Sequence, residues 1–267
     1  MTGMNVFCLG MKRSASTWQY NAARYIIERS TRHEFDRPTT IDEADLQEMH
    51  RLFTPRFVKV HNIPHDMSRR LLETDDAFLY IHRDIRDVTA SWKQFTGETG
   101  AALRVSMQAV VGNHVRMMYW LGGSDHYQLL HQKYEDMMEN PGAELERIAA
   151  FLQPFLPGYM PPVAPIPEKG ATRLVEELGI AQVQRAMSGL RFRDGGVVID
   201  TRPYDYRRNH DAYDRETKYY GNHISPWEGK VGIWDEVLEG EDRQTAIEMY
   251  EQASERIAAS ELGTETA

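Results

Sequence analysis

The chain predicts an α/β fold, a parallel β-sheet flanked by helices, and three observations carry that expectation. Asn5–Leu9 and Ala77–Ile81 are short, mostly apolar runs, as strands buried on both faces are. Each run leads through a polar loop into a helix-period pattern, the β–loop–α unit of a parallel sheet. Both loops are rich in cations and hydroxyls, and such sheets bind ligands beyond the carboxyl ends of their strands.

The first loop, Gly10-Met-Lys-Arg-Ser-Ala-Ser-Thr-Trp18, precedes a stripe of Trp18, Ala22, Tyr25 and Ile26 that reads as an amphipathic helix. A strand–loop–helix turn leaves free backbone N–H groups at the positive end of the helix dipole, which is an anion site. Lys12 and Arg13 add full charges, and Ser14, Ser16 and Thr17 add short donors. An ATP or GTP loop needs a second Gly followed by Lys and Ser or Thr. Ala15 and Ser16 stand there instead, and the loop closes on Trp18, whose flat face suits a purine.

Residues 30–53 are polar and helix-compatible. Arg56–Ile63 then alternates as a strand does, and Pro64 ends it. Lys59 and His61 stand two apart and so share one face. After Ala77–Ile81, Arg83 falls at a strand end and Ser91 on the helix that begins beside it, a pairing that fits a second phosphate; Asp84 or Asp87 is placed to cap that helix.

Further on, residues 102–121 predict a long helix with Leu103, Met107, Val110, Val111, Val115, Met118 and Leu121 apolar. Tyr127–Leu130 predicts a strand, followed by a helical stretch through Leu152. Pro154–Pro167 is a stiff connector, and a helix over roughly 171–188 follows it. The segment 190–228 is rich in Arg and Tyr without lasting periodicity. It reads first as a lid over an acceptor site and second as an oligomer contact. Glu228–Trp234 carries Gly229-x-x-Gly232-x-Trp234, whose glycines let backbone approach a ligand closely, with Lys230 adding charge. Glu241–Leu262 is an amphipathic surface helix.

Composition narrows the class. The 267 residues, 41% hydrophobic and 27% charged, suit one soluble domain over 1–267, with no apolar run of membrane-span length. A formal charge of −9 argues against general nucleic-acid binding, so an anionic ligand must meet a local basic cluster. Cys8 is the single cysteine and reads as an inert buried thiol. With no signal peptide visible at the start, these features lead to the expectation of a cytoplasmic protein.

The motifs, taken in order, resemble those of the sulfotransferases that use 3′-phosphoadenosine 5′-phosphosulfate (PAPS). Arg13-Ser14-Ala15-Ser16-Thr17-Trp18 is similar to their 5′-phosphosulfate loop, usually Lys-Ser-Gly-Thr-Thr-Trp, with Arg for Lys and Ala for Gly. Lys59-Val60-His61 resembles their Lys-Thr-His. Arg83, Asp87, Val88 and Ser91 match the 3′-phosphate segment in type and spacing. Tyr134-Glu-Asp-Met resembles the element whose Tyr lies against adenine, and the Gly229–Trp234 run resembles the loop that closes on the 3′-phosphate. Relatives usually have Arg-Lys before that loop; here Trp227-Glu228 stands there, leaving Lys230 as the nearest cation.

The resemblance implies a P-loop-like nucleotide-binding architecture and in-line sulfuryl transfer from PAPS, without metal, to a hydroxyl or amine of a small-molecule or carbohydrate acceptor. Adenosine 3′,5′-bisphosphate would be the product. It implies His61 as general base. Arg13, helped by Lys12 and Lys59, would neutralise charge on the leaving phosphate and sulfuryl oxygens. Arg83, Ser91, Gly229 and Lys230 would hold the 3′-phosphate, and Trp18 with Tyr134 the adenine. Two rivals stand beside this reading: a nucleotide kinase, which would need a loop lysine before Ser or Thr, and a non-catalytic nucleotide-binding module.

Overall fold

The structure, a computed structural model, describes residues 6–31, 57–60, 77–122, 128–155, 197–199, 212–214 and 226–264, with positions 172, 173, 175, 176, 178 and 179. His61, most of 30–53, the proline-rich connector beyond Phe155 and most of 190–225 lie outside the described residues.

A parallel sheet of β1 (Val6–Gly10), β2 (Phe57–Val60), β3 (Ala77–His82) and β4 (Gln128–Lys133) runs in the order β2-β1-β3-β4. Its register pairs Cys8 with both Lys59 and Leu79, and Tyr80 with His131. The expected strands are all present, and β4 begins one residue later and runs further than its sequence suggests. β1 is buried throughout and β3 up to His82, as all-parallel strands covered on both faces must be. Cys8 accordingly is fully buried, and burial pushes its thiol pKa up.

On one face of the sheet lie α1 (Ser16–Thr31) and α5 (Pro141–Leu152). Ala22, Ala23 and Ile26 meet Leu145, Ile148 and Leu152 there over Val6, Cys8 and Leu79. The helical stretch expected through Leu152 is broken at Asn140, which ends α4 (Tyr134–Glu139). The Asn140 side chain then accepts from the Ala143 amide to cap α5.

The other face is covered by α3 (Gly100–Gly122). Phe7 and Phe78 stack at 5.1 Å, and Trp120 meets Phe78 edge-on at 5.4 Å. Further along, Tyr80 donates to or accepts from His114 Nδ1 at 2.7 Å, and His82 stacks between His114 (5.2 Å) and His131 (4.7 Å). Burial drives the pKa of His82 down to about 3 and of His114 to about 4, and lowers that of His131, so these imidazoles are neutral. The α3 face also differs in detail from the sequence stripe: Met117, not Met118, is the buried methionine of its last turns.

α2 (Ile85–Thr96) and α7 (Gly240–Thr264) complete this layer, with Ile85, Val88, Met107, Val111, Met249 and Ala253 in one cluster. α7 therefore contributes to the core as well as the surface. Asp242 ties it to α3 by accepting the Gly100 amide at 2.7 Å, and to α2 through Lys93 at 2.7 Å. Within the stretch expected to be irregular, β5 (Val197–Ile199) pairs antiparallel with β6 (Ala212–Asp214). Among the described residues, no helix is long and apolar enough to cross a membrane.

Candidate active site

In the order β2-β1-β3-β4, β1 goes on to β2 on one side while β3 lies on the other. The loops leaving β1 and β3 therefore diverge from adjacent strand ends, the switch point where open α/β sheets open a crevice. Both candidate anion segments sit at this point.

The first loop is pinned to β3. The Met11 amide donates to Ile81 O at 3.0 Å, and Ser14 Oγ shares its proton between Met11 O (2.6 Å) and Ile81 O (3.0 Å). Ser14 is fully buried, so this hydroxyl holds the loop's shape rather than standing open to a ligand. A Cβ on Gly10 would lie 2.4 Å from Ser16 Cβ, so only glycine lets the strand end and the start of α1 approach this closely. Arg13 and Ala15 adopt left-handed backbone, φ 66° and 63°. Ala15 O accepts the Gln19 amide at 3.2 Å, the first intrahelical bond of α1. The first-turn amides of α1 have no acceptor within the helix, which is what an anion needs.

Lys59 comes from β2 to meet this helix start, where its ammonium donates to Thr17 Oγ1. Burial draws its pKa from 10.5 down to about 8. Lys12, by contrast, is exposed and lies over the Trp92 ring at 5.1 Å. Trp18 is 7% exposed and belongs to the core cluster that also holds Tyr134, the other residue expected against the adenine.

The second segment is assembled by α2. Asp84 is its capping residue, accepting the Arg86 amide at 2.8 Å. Asp87 is fully buried one turn in. It pairs with Arg83 Nη2 at 3.3 Å and accepts the amides of Gly232 at 2.8 Å and Trp234 at 3.1 Å. Arg83 also donates to Lys230 O at 3.1 Å and lies 4.2 Å over the Tyr134 ring. The Tyr134 hydroxyl in turn donates to Gly229 O at 2.7 Å, and burial raises its pKa. Glu228, Gly229 and Gly232 all have left-handed φ (49°, 81° and 77°), which lets this run fold back over Arg83. Gly229 and Lys230 thus reach the site through their carbonyls.

The Lys230 ammonium pairs with Glu236 on the turn α6 (Trp234–Val237), and both side chains are more than half exposed. That pairing turns the Lys230 ammonium toward the surface, while Arg13 stands beside Arg83. The Arg13 Nε donates to Ser91 Oγ at 2.9 Å, and its guanidinium carbon sits 4.9 Å over the Phe95 ring. Burial, then the neighbouring Arg83, draws its pKa from 12.5 to about 10.

The structure therefore brings Arg13, Ser16, Thr17, Lys59, Arg83, Ser91 and Tyr134 to the ends of adjacent strands; the Lys230 ammonium turns to Glu236, and Trp18 is buried in the same cluster as Tyr134. The sequence reading did not find Asp87 as the hub or Phe95 as a shelf. The i, i+4 spacing of Arg83 and Asp87 was the available signal for the first.

Residues 4–157, more than half of the chain, match the family described as "Sulfotransferase domain". The chain is 28% identical over 118 residues to mouse (Mus musculus) "Sulfotransferase 1 family member D1", covering 39% of each protein. It therefore spans about two fifths of that relative's length. Among solved structures, mouse sulfotransferase SULT7A1 complexed with PAP superposes with a TM-score of 0.59 at 14% identity, covering 99% of this chain and 89% of that one. Retinol dehydratase in complex with androsterone and inactive cofactor PAP gives 0.50 at 16% identity, over 97% and 81%. The parallel sheet, its switch point between β1 and β3 and the match over β1 to α5 lead to one conclusion: this chain belongs to the sulfotransferase domain family.

Proposed function

We propose that the protein transfers the sulfuryl group of PAPS to a hydroxyl or amine on a small-molecule or carbohydrate acceptor. The observation that carries this reading is the meeting of Arg13 with Ser91, which joins two separate anion segments into one basic crevice. A bisphosphorylated nucleotide is the ligand class that needs both. The residues fit such a group: Arg83 Nε is buried without a partner among the described residues, and α1 offers its amide end. The two solved relatives were determined with PAP, and one of them also with androsterone, which supports a nucleotide donor and a small apolar alcohol as one acceptor class.

PAPS supplies an activated sulfuryl group on its 5′-phosphosulfate. The first-turn amides of α1, with Ser16 and Thr17, would hold the 5′ end, and Lys59 would present its charge there. A lysine near pKa 8 remains mostly protonated at neutral pH and gives up its proton more readily than an ordinary lysine, which suits it to a leaving phosphate oxygen. Arg83 and Ser91 would hold the 3′-phosphate, with Gly229 and Lys230 beside them orienting Tyr134 and Arg83 through their carbonyls and Tyr134 lying beneath Arg83. His61, which follows β2 and lies outside the described residues, is assigned on sequence alone as the base that takes the acceptor's proton. We read the whole chain as one domain, the 190–228 segment as a lid over the acceptor, and the compartment as cytoplasmic from its single buried cysteine.

The test is transfer of label from PAPS to a panel of hydroxylated metabolites, with adenosine 3′,5′-bisphosphate binding followed in EDTA. In His61→Asn, turnover should fall by about 10²–10⁴ while bisphosphate affinity stays close to wild type. Full turnover in that variant with a saturating acceptor would remove His61 from the mechanism. Absence of both transfer and bisphosphate binding in the wild type would remove the reading itself.

A further inference from the structure

Between the end of β3, α2 and the first loop, charges are gathered that do not balance. Asp87 is the carboxylate paired with Arg83 there, and its oxygens already serve Arg83 and the amides of Gly232 and Trp234; of the two other carboxylates at this strand end, Asp84 is taken by Arg86 and Glu135 accepts the Asp84 amide. Against Asp87 stand two guanidiniums. Arg83 is only 3% exposed, and its Nε is buried with no partner among the described residues. Arg13 is the second, half-buried, with Nε on Ser91 and its plane over Phe95. Ser91 accepts from Arg13 and still has its own O–H to donate. Two cations brought together out of water repel each other unless an anion joins them. That cost shows in Arg13, whose pKa falls to about 10 through burial and then through Arg83. An orphan donor, a free hydroxyl proton and a surplus positive charge all call for one multiply charged acceptor in the same place.

We infer that Arg13 serves the second phosphate, the one on the ribose 3′ carbon, and thereby replaces the cation that Trp227-Glu228 leaves out of the glycine loop. The inference rests on the PAPS reading above. Its basis is geometric: Arg13 leaves the first loop through a left-handed residue and reaches Ser91 on α2, while the Lys230 ammonium is occupied by Glu236 at the surface. Lys59 and the α1 amides are left for the 5′ end. The planar fork matters here, because one guanidinium can hold Ser91 through Nε and still offer Nη donors to an oxyanion, which an ammonium does less well.

The experiment is calorimetric titration of adenosine 3′,5′-bisphosphate and adenosine 5′-monophosphate into wild type, Arg13→Gln, Arg13→Lys and Arg83→Ala. Arg13→Gln should lose about 10- to 100-fold in bisphosphate affinity, the scale of a charge-assisted contact, and less than about 3-fold for the monophosphate. Arg83→Ala should show the same selectivity. Arg13→Lys is the milder change, and should fold where Arg13→Gln does not. It too should lose affinity for the bisphosphate selectively, because it keeps the charge without the fork. Equal losses for both nucleotides would place Arg13 on the 5′-phosphate, and variants that bind both nucleotides like wild type would take Arg13 out of the phosphate contacts; either result overturns the assignment. A wild type that binds neither nucleotide would instead sink the PAPS reading, and this assignment with it.

Discussion

The carboxylate of Asp87 accepts the amide of Gly232 at 2.8 Å from 145 positions away in the chain. The same side chain takes the Trp234 amide and pairs with Arg83, so one buried group joins α2, the end of β3 and the glycine loop. An aspartate one turn into a helix would ordinarily face water or serve the dipole. Here it is fully buried because it is the acceptor those distant groups require.

Removing that acceptor should therefore be severe. Asp87→Ala leaves Arg83 as an uncompensated buried charge, and the expected loss is about 3–5 kcal/mol of stability by urea unfolding. Asp87→Asn keeps one oxygen for the amides and should fall between the two. Adenosine 3′,5′-bisphosphate should restore part of the loss, since a ligand bound only by the native state stabilises it. An Asp87→Ala protein as stable as wild type would show that the Arg83 pairing does not hold the loop.

Ala15 stands at φ 63°, where its Cβ meets backbone that glycine would clear. The left-handed conformation costs an L-residue about 1–2 kcal/mol, and glycine's extra freedom in the unfolded chain returns about half of that. Ala15→Gly is thus expected to stabilise the protein by about 0.5–1 kcal/mol, seen as a raised melting temperature. A lowered one would mean that the Ala15 methyl, packed against the core cluster beside α1, contributes more than the strain costs.

Lys59 is expected to set a limit on the alkaline side of the proposed transfer. Burial lowers its pKa, so the charged form persists below about pH 8 and is lost above it. If that charge supports the leaving group, kcat should fall about tenfold per pH unit above 8. Lys59→Arg retains its charge through this range and should abolish the alkaline fall, at some cost in maximal rate. A wild-type profile that stays flat from pH 7 to 10 would take the Lys59 charge out of the transfer step.

On the acid side, stability rather than turnover should respond. His82 and His114 have folded pKa values of about 3 and 4, below the 6.5 of the unfolded chain. Burial is the first cause; His114, His131 and Lys133 then add repulsion at His82, and His131 at His114. The unfolded state therefore takes up protons that the folded state refuses. Their contribution is complete above pH 6.5 and is lost as pH falls toward 4 and then 3. Each such histidine steepens the loss by about 1.4 kcal/mol per pH unit. Urea unfolding between pH 7 and 4.5 should show this slope, and His114→Asn should reduce it by one proton. An unfolding free energy independent of pH across that window would mean that these rings are already charged in the fold.

What the sequence determined by itself are the features that repeat with the local geometry of the chain. The strands β1 and β3 were legible as apolar runs, α1 as the Trp18–Ile26 stripe, and the anion segments as cations and hydroxyls beside predicted helix starts. Periods of two and 3.6 residues are set by the backbone alone, so they survive in a single sequence. Tertiary structure decided where the polar side chains of the site point. Lys230 is drawn outward by Glu236, and Arg13 is turned inward by Ser91 and Phe95, partners supplied by separate elements. Asp87 became a hub because Gly232 folds back 145 positions later, and His82 and His114 became neutral because β3 and α3 enclose them. A long charged side chain has several rotamers of nearly equal energy on its own backbone, and the choice among them falls to whichever opposite charge, acceptor or aromatic face the fold brings within reach.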